Sequence, residues 1–227
     1  YGRDQLTMWD NGLLQGTVDL SDYTDADGIP EVSTAVVGDN GRLYLGAHQF
    51  DRDDGWSEAG GLVLEVDCAA RAVTQSWDVP TPDVYANPGQ PGTVLVAGRD
   101  DGIRTLDVET GTLSAPVVAP EAIPGTVSAM AAWGDHAVIA LFDEDDHYSV
   151  HCATLGDGTV ELIEARTNFL TTAVANDRGE VWVSARTHWA DPTGETGTLV
   201  YDADRCASLT TQGAIPTLLA PFGITFY

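Results

Sequence analysis

Short runs in which apolar and polar residues alternate fill most of the chain, and one kind of run recurs. Residues 43–48 read LYLGAH, 94–99 VLVAGR, 137–142 AVIALF and 181–186 VWVSAR. Their first residues stand 51, 43 and 44 positions apart, a loose period that marks a repeated supersecondary unit. Ahead of each run lies a segment of small or hydroxyl residues that ends in a turn: STAVVGDNG, DVYANPGQPG, TVSAMAAWGD and LTTAVANDRG. After each comes a loop and then a further strand-like run, often closed by Asp: LVLEVD at 62–67, IRTLD at 103–107 and TLVYD at 198–202, with LTMWD at 6–10 as an earlier copy and YSVHCAT at 148–154 without the Asp. Outer runs follow at LLQGTVDL, AVTQSWDV, TLSAPVVA, TVELIEA and SLTTQG.

Evenly spaced strands with turn residues at nearly every junction, and no helical period of ten residues, predict an all-β fold. The small residues of the first run in each unit suit the innermost strand of a β-propeller blade, where sheets converge. We therefore expect a β-propeller of about five four-stranded blades, with 1–227 as a single domain. The chain opens on a third-strand pattern and closes on FGITFY, which reads as an innermost strand. The first blade is then shared between the N- and C-termini, leaving no exposed edge there. That blade lacks a second strand, so an N-terminal strand preceding Tyr1, or a complementary chain, is expected to complete it.

The repeat, with its LYLGAH-like strand, Asp-ended strand and DVETG turn at 107–111, resembles the YVTN-type bacterial propeller repeats. LLAPFGITFY and GRDQLTMWD are also similar to segments of myxobacterial surface propeller lipoproteins. The resemblance implies export and an extracellular, cell-surface or periplasmic location. It implies no reaction, since a fold hosts many functions.

Charge narrows the function. The chain carries 35 acidic residues against 10 basic ones, a net charge of −25. Such a surface repels a phosphate backbone, so nucleic acid is excluded as an expected partner. No apolar run reaches the length of a membrane helix, and the first residues lack the basic and apolar regions of a signal peptide. Cys68, Cys152 and Cys206 show no C-x-x-C spacing, so their pairing stays open.

In a propeller the loops from fourth to first strand and from second to third strand emerge on one face, and here those loops are acidic. Carboxylates converging there would suit Ca²⁺, which takes oxygen ligands. The candidate metal residues are Asp25, Asp27 and Glu31 in TDADGIPE, and Asp143 and Asp145 in FDEDDHY. Asp22 is one residue out of register for a D-x-D-x-D-G loop, and turn-forming Asp and Gly explain the same residues. His147 and His151 stand about 13 Å apart on an extended strand, too far to share one ion. Aligning the second strands puts His48, Arg99, Phe142 and Arg186 at one level, where the basic three would hold a carboxylate or pair with nearby Asp. Trp56 and Trp189 in the long loops offer aromatic faces to a carbohydrate or protein ligand, or cover the blades.

The expected function is a non-enzymatic binding or protein-interaction module of the bacterial cell envelope, using this acidic, aromatic-bearing face with calcium assistance. The alternative is a hydrolase of the five-bladed glycosidase kind, its residues assembled from loops. That alternative needs acids on the innermost strands, and stretches 33–37, 84–86, 127–132 and 171–175 contain none. No nucleophile elbow, H-E-x-x-H or phosphate loop occurs either.

Overall fold

A computed structural model describes residues 4–25, 27–51, 55, 57–98, 101–143, 145, 147–187, 195–211, 213–217 and 224. Among them the chain is all-β, with two single-turn 3₁₀ segments at Ser21–Tyr23 and Pro120–Ala122 and no α-helix. It divides into two compact units, Tyr1–Ala86 with Gly92–Ala115, and Asn87–Pro91 with Pro116–Tyr227.

The first unit begins with a hairpin, β1 (Gln5–Asp10) and β2 (Leu13–Asp19), reversed at Asn11 and Gly12, both at positive φ. Two four-stranded antiparallel meanders follow. One runs in the order β3 (Glu31–Val37), β4 (Leu43–Asp51), β5 (Ser57–Asp67), β6 (Ala72–Val79). The other comprises β7 (Asp83–Ala86), β8 (Thr93–Gly98), β9 (Gly102–Asp107) and β10 (Thr112–Leu113). The apolar faces make two cores. Val18 and Leu20 of the hairpin region pack with Leu45, Ala47, Leu64 and Val66, and Tyr44 and Val63 pack with Val84, Val94, Val96 and Leu106.

The second unit repeats the plan with β11 (Thr126–Trp133), β12 (His136–Phe142), β13 (Tyr148–Thr154) and β14 (Val160–Arg166). Its second sheet holds β15 (Phe169–Ala175), β16 (Glu180–Arg186) and β17 (Gly197–Asp202), whose outer edge is shared by two short pieces, β18 (Ala207–Ser208) and β19 (Ile215–Pro216). Val138, Ala140 and Val150 pack with Val181, Val183, Leu199 and Tyr201 to make its core.

Four sheets of the blade type are thus described, where the spacing predicts about five. The difference lies at the chain ends. The hairpin stands as a two-stranded sheet, and the FGITFY strand expected to join it falls outside the described residues, Ile224 excepted.

The innermost strands explain the small and hydroxyl residues. β3, β11 and β15 each carry a bulge, between Val32 and Thr34, Val127 and Ala129, and Leu170 and Ala173. A hydroxyl sits at each: Ser128 donates to the carbonyl of Ala140 on the next strand at 3.1 Å, Thr171 shares a hydrogen bond with Ser184 at 2.9 Å, and Ser33 Oγ lies 3.4 Å from the Gly46 carbonyl with its proton directed to Asp83 at 2.7 Å. The extra residue interrupts the ladder, and a short hydroxyl satisfies the group it frees.

The turns from third to fourth strand also share one geometry. Asp107 Oδ1 accepts the amides of Glu109 and Thr110 at 3.0 and 2.8 Å, Asp67 Oδ1 those of Ala69 and Ala70 at 2.8 and 2.9 Å, and Asp202 Oδ1 that of Arg205 at 3.1 Å. Four residues after each Asp the chain turns left-handed, at Gly111, Arg71 and Cys206, and Gly158 does so four residues after Thr154. The Asp-ended strands of the sequence are therefore turn caps.

Adjacent sheets approach most closely where a glycine stands. A Cβ on Gly46 of β4 would fall on the carbonyl oxygen of Pro82, just ahead of β7, and within 2.6 Å of Thr34 Oγ1. Gly46→Ala should therefore lower unfolding stability by about 2–3 kcal/mol in urea titration, as overpacking does, and an unchanged midpoint would show that the sheets separate freely.

Candidate functional site

In the first unit the ends of β3, β4 and β7 meet the loop that precedes β3. Glu31 opens β3 directly opposite His48 of β4, so the two side chains share one face. Asp83 opens β7, and its Oδ1 accepts a hydrogen bond from Ser33 Oγ at 2.7 Å and lies 3.3 Å from His48 Nε2. Phe50 stacks on the His48 ring with centroids 5.1 Å apart and planes within 3°. Glu31 and His48 are only 6% and 8% exposed, so polar groups here depend on one another rather than on water.

The preceding loop adds two carboxylates. Asp25 Oδ1 accepts the Asp27 amide at 3.0 Å, Asp27 Oδ1 accepts the Ile29 amide at 2.9 Å, and Gly28 at φ +77° donates to the Asp25 carbonyl at 3.2 Å. These contacts make the D-x-D-G segment a tight turn. Asp25 Oδ2 is shielded from solvent and meets no hydrogen-bond donor. Burial of the Asp25 carboxyl, reinforced by the negative charges of Asp27 and Glu31, holds its pKa above the usual aspartate value, although the Asp27 amide pulls the other way.

The other candidates lie apart. Asp143 is turned onto its own loop, where Oδ1 accepts the amides of Asp145 and His147 at 2.9 Å each and Oδ2 lies 3.3 Å from His147 Nδ1. Those donors, the His147 amide first, hold the Asp143 carboxyl below its usual pKa. His147 is exposed ahead of β13, whereas His151 is buried within it, and burial lowers the imidazole pKa there. Arg186 closes β16 opposite Phe169, as Phe142 closes β12 opposite Thr126 and His48 faces Glu31, so the three do occupy one level of the repeat. His48 and Arg186 belong to different units. Arg99, Trp56 and Trp189 lie outside the described residues.

Sequence reading missed Asp83 and set Glu31 apart from the innermost strand. Strands β3 and β7 begin earlier than the small-residue runs indicate, and each begins with an acid. The expectation of acid-free innermost strands is corrected accordingly. The signal was the D of DVYANPGQPG, which opens the pairing with β8 at Ala97.

No protein-family model matches the chain, and no curated protein matches it. Solved structures do. Hydrazine synthase of Kuenenia stuttgartiensis is similar with a TM-score of 0.59 at 15% identity, over 88% of this chain and 57% of that one. The GH74 xyloglucanase from Xanthomonas campestris gives 0.58 at 14% identity, over 86% of this chain and 32% of that one. A chain of the mitotic checkpoint complex gives 0.52 at 9% identity, over 97% of this chain and 74% of that one. The chain is a β-propeller. At these identities the likeness extends to the fold alone, and the chain spans little more than half of the hydrazine synthase chain and a third of the xyloglucanase chain.

Removing Asp83 leaves the Ser33 hydroxyl and the His48 ring without their shared acceptor. Asp83→Ala is expected to cost about 1–3 kcal/mol in urea unfolding, and Asp83→Asn, which keeps an acceptor oxygen, distinctly less. Equal losses in both variants would assign the effect to charge instead.

Proposed function

We propose that this propeller is a non-enzymatic binding or protein-interaction module of the bacterial cell envelope, built from YVTN-type repeats. Its working surface is the acidic loop region of the first unit, and a calcium ion held by Asp25, Asp27 and Glu31 orders it. The carrying observation is the raised Asp25 pKa together with its solvent-shielded Oδ2: burial and the neighbouring carboxylates of Asp27 and Glu31 make the Asp25 charge costly. A hard cation with oxygen ligands relieves that cost. The disulfide between Cys152 and Cys206 supports an extracellular or periplasmic location, because such bonds persist in oxidising compartments. The net charge of −25 argues against nucleic-acid partners, and among the described residues no helix is long and apolar enough to cross a membrane. On this reading Trp56, in the long loop of the first unit, is the aromatic residue offered to a protein or carbohydrate ligand.

One observation favours the hydrolase alternative, namely that Glu31 and Asp83 open neighbouring innermost strands beside His48. Ser33 and His48 converge on the same oxygen of Asp83, however, so the carboxylate is the shared partner where a serine nucleophile would need the imidazole in that role. Assaying reducing-sugar release from β-glucans decides this, since release abolished by Asp83→Asn would replace the binding reading.

The calcium prediction has a definite sign. Because the folded-state pKa of Asp25 lies above the unfolded value near 3.8, its contribution to stability is present below that value and lost as pH rises through the folded pKa. At neutral pH without metal, Asp25→Asn should therefore raise the melting temperature, on the order of 1–2 °C after solvent screening. Calcium one hundredfold above its Kd should raise the wild-type melting temperature by about 5 °C or more and leave Asp25→Asn unmoved. Equal responses of the two proteins would remove the ion from this loop.

A further inference from the structure

Outside that region, the second unit gathers three donors of a different kind. Cys152 lies in β13, 2% exposed, and its disulfide to Cys206 spans 54 residues with Cα atoms 5.4 Å apart. Cys206 sits in the turn between β17 and β18. His136 opens β12 opposite Thr154 of β13, and its Nδ1 lies 3.9 Å from Cys206 Sγ and 3.5 Å from Thr154 Oγ1. The imidazole nitrogen and both sulfurs all fall within 4.8 Å of one another. Both sulfurs also lie near the Ala203 carbonyl, at 4.0 and 3.7 Å.

A staple between two sheets requires two cysteines and no histidine. Cys206 takes the left-handed position of the repeated turn, at φ 50°, which Gly111, Gly158 and Arg71 fill in the corresponding turns, so it is the convergence of the imidazole on the two sulfurs that sets this turn apart.

We propose that Cys152, Cys206 and His136 form a zinc site that the disulfide closes and reduction opens. A dithiol reductant transfers two electrons and two protons to the S–S bond, becoming a disulfide itself and leaving two cysteine thiols. Zn²⁺ then displaces both thiol protons and takes the neutral Nδ1 of His136 as third ligand, leaving a fourth position for water. With Zn–S near 2.3 Å and Zn–N near 2.0–2.1 Å, tetrahedral ligation sets S···N at about 3.6 Å and S···S at about 3.8 Å. The 3.9 Å between Nδ1 and Cys206 Sγ is a few tenths of an ångström longer than the first value, so the imidazole has to close slightly while the sulfurs part. His136 and Cys206 are both partly exposed, which gives the reductant and the ion an approach.

The test uses the whole chain carrying Cys68→Ser, which removes the exposed third thiol. The protein is reduced with dithiothreitol, desalted without oxygen and titrated with Co²⁺ as a spectroscopic stand-in for zinc. One equivalent is expected to give thiolate-to-cobalt charge transfer with tetrahedral d–d bands, bleached by Zn²⁺. The oxidised protein should give neither. In His136→Ala the d–d bands should lose intensity or shift to those of a two-sulfur site, with affinity reduced at least tenfold. Absence of charge transfer in reduced protein that keeps its β-sheet circular dichroism would overturn the site, as would a titration unchanged by His136→Ala. If reduction unfolds the chain, Zn²⁺ should restore the sheet signal, and failure to restore it counts against the proposal equally.

Discussion

Steric crowding on the innermost strands governs much of this molecule. Where β3 lies beside β7, Thr34 Oγ1 accepts the Val84 amide at 2.8 Å and the Pro82 carbonyl fills the space above Gly46. Backbone this close leaves room only for small residues at the contact itself, Thr34 on β3 and Gly46 on β4. Small residues pack little area, so the contact is secured otherwise. Bulges stapled by Ser33, Ser128 and Thr171 secure it, and the apolar weight moves outward to second and third strands such as Leu43–Asp51 and Tyr148–Thr154. Each bulge twists its strand, and the first of them turns Ser33 toward Asp83. The polar cluster of the first unit thus follows from the crowding.

A second device sets the outer strands. An Asp closing the third strand captures amides two and three residues on, and the chain then reverses at a left-handed residue. Hydrogen bonds to those amides, Thr110 for Asp107 and Ala70 for Asp67, hold both carboxyls below the usual aspartate pKa. This stabilisation is present at neutral pH and fades as acid protonates the caps. At Asp202, with a single captured amide, β18 is two residues long, as is β10 after the two-amide cap of Asp107, and β19 pairs with the remaining edge of β17. The Cys152–Cys206 bond anchors that same turn to β13. Closing a loop of this length restricts the unfolded chain by about 4 kcal/mol in the entropic model.

The second strands were legible because they are buried on both faces and read as apolar runs. The four runs beginning at Leu43, Val94, Ala137 and Val181 lie in β4, β8, β12 and β16, and their first residues all fall within one position of the strand starts. The Asp-ended strands were legible for their cap. Blade number was not, since spacing alone cannot say whether two chain ends make one sheet. The acids Glu31 and Asp83 were hidden for a different reason: strand starts were placed at the first small residue, whereas hydrogen bonding begins one or two residues sooner. The cysteine pairing was beyond reach, because nothing in the separation of 54 residues announces that β13 and the β17–β18 turn are neighbours.

The acidic loop and the buried cluster beneath it bear on binding against catalysis. A general base or nucleophile needs an unengaged lone pair aimed at substrate, in a geometry held by other groups. Asp83 Oδ1 already accepts a hydrogen bond from the Ser33 hydroxyl and faces the imidazole of His48, so it serves to fix those two side chains. Asp25 differs, for one of its oxygens turns a peptide while the other is shielded and meets no donor. Its charge at neutral pH therefore weighs against the folded state, whereas Asp83 is anchored by the two side chains that it holds.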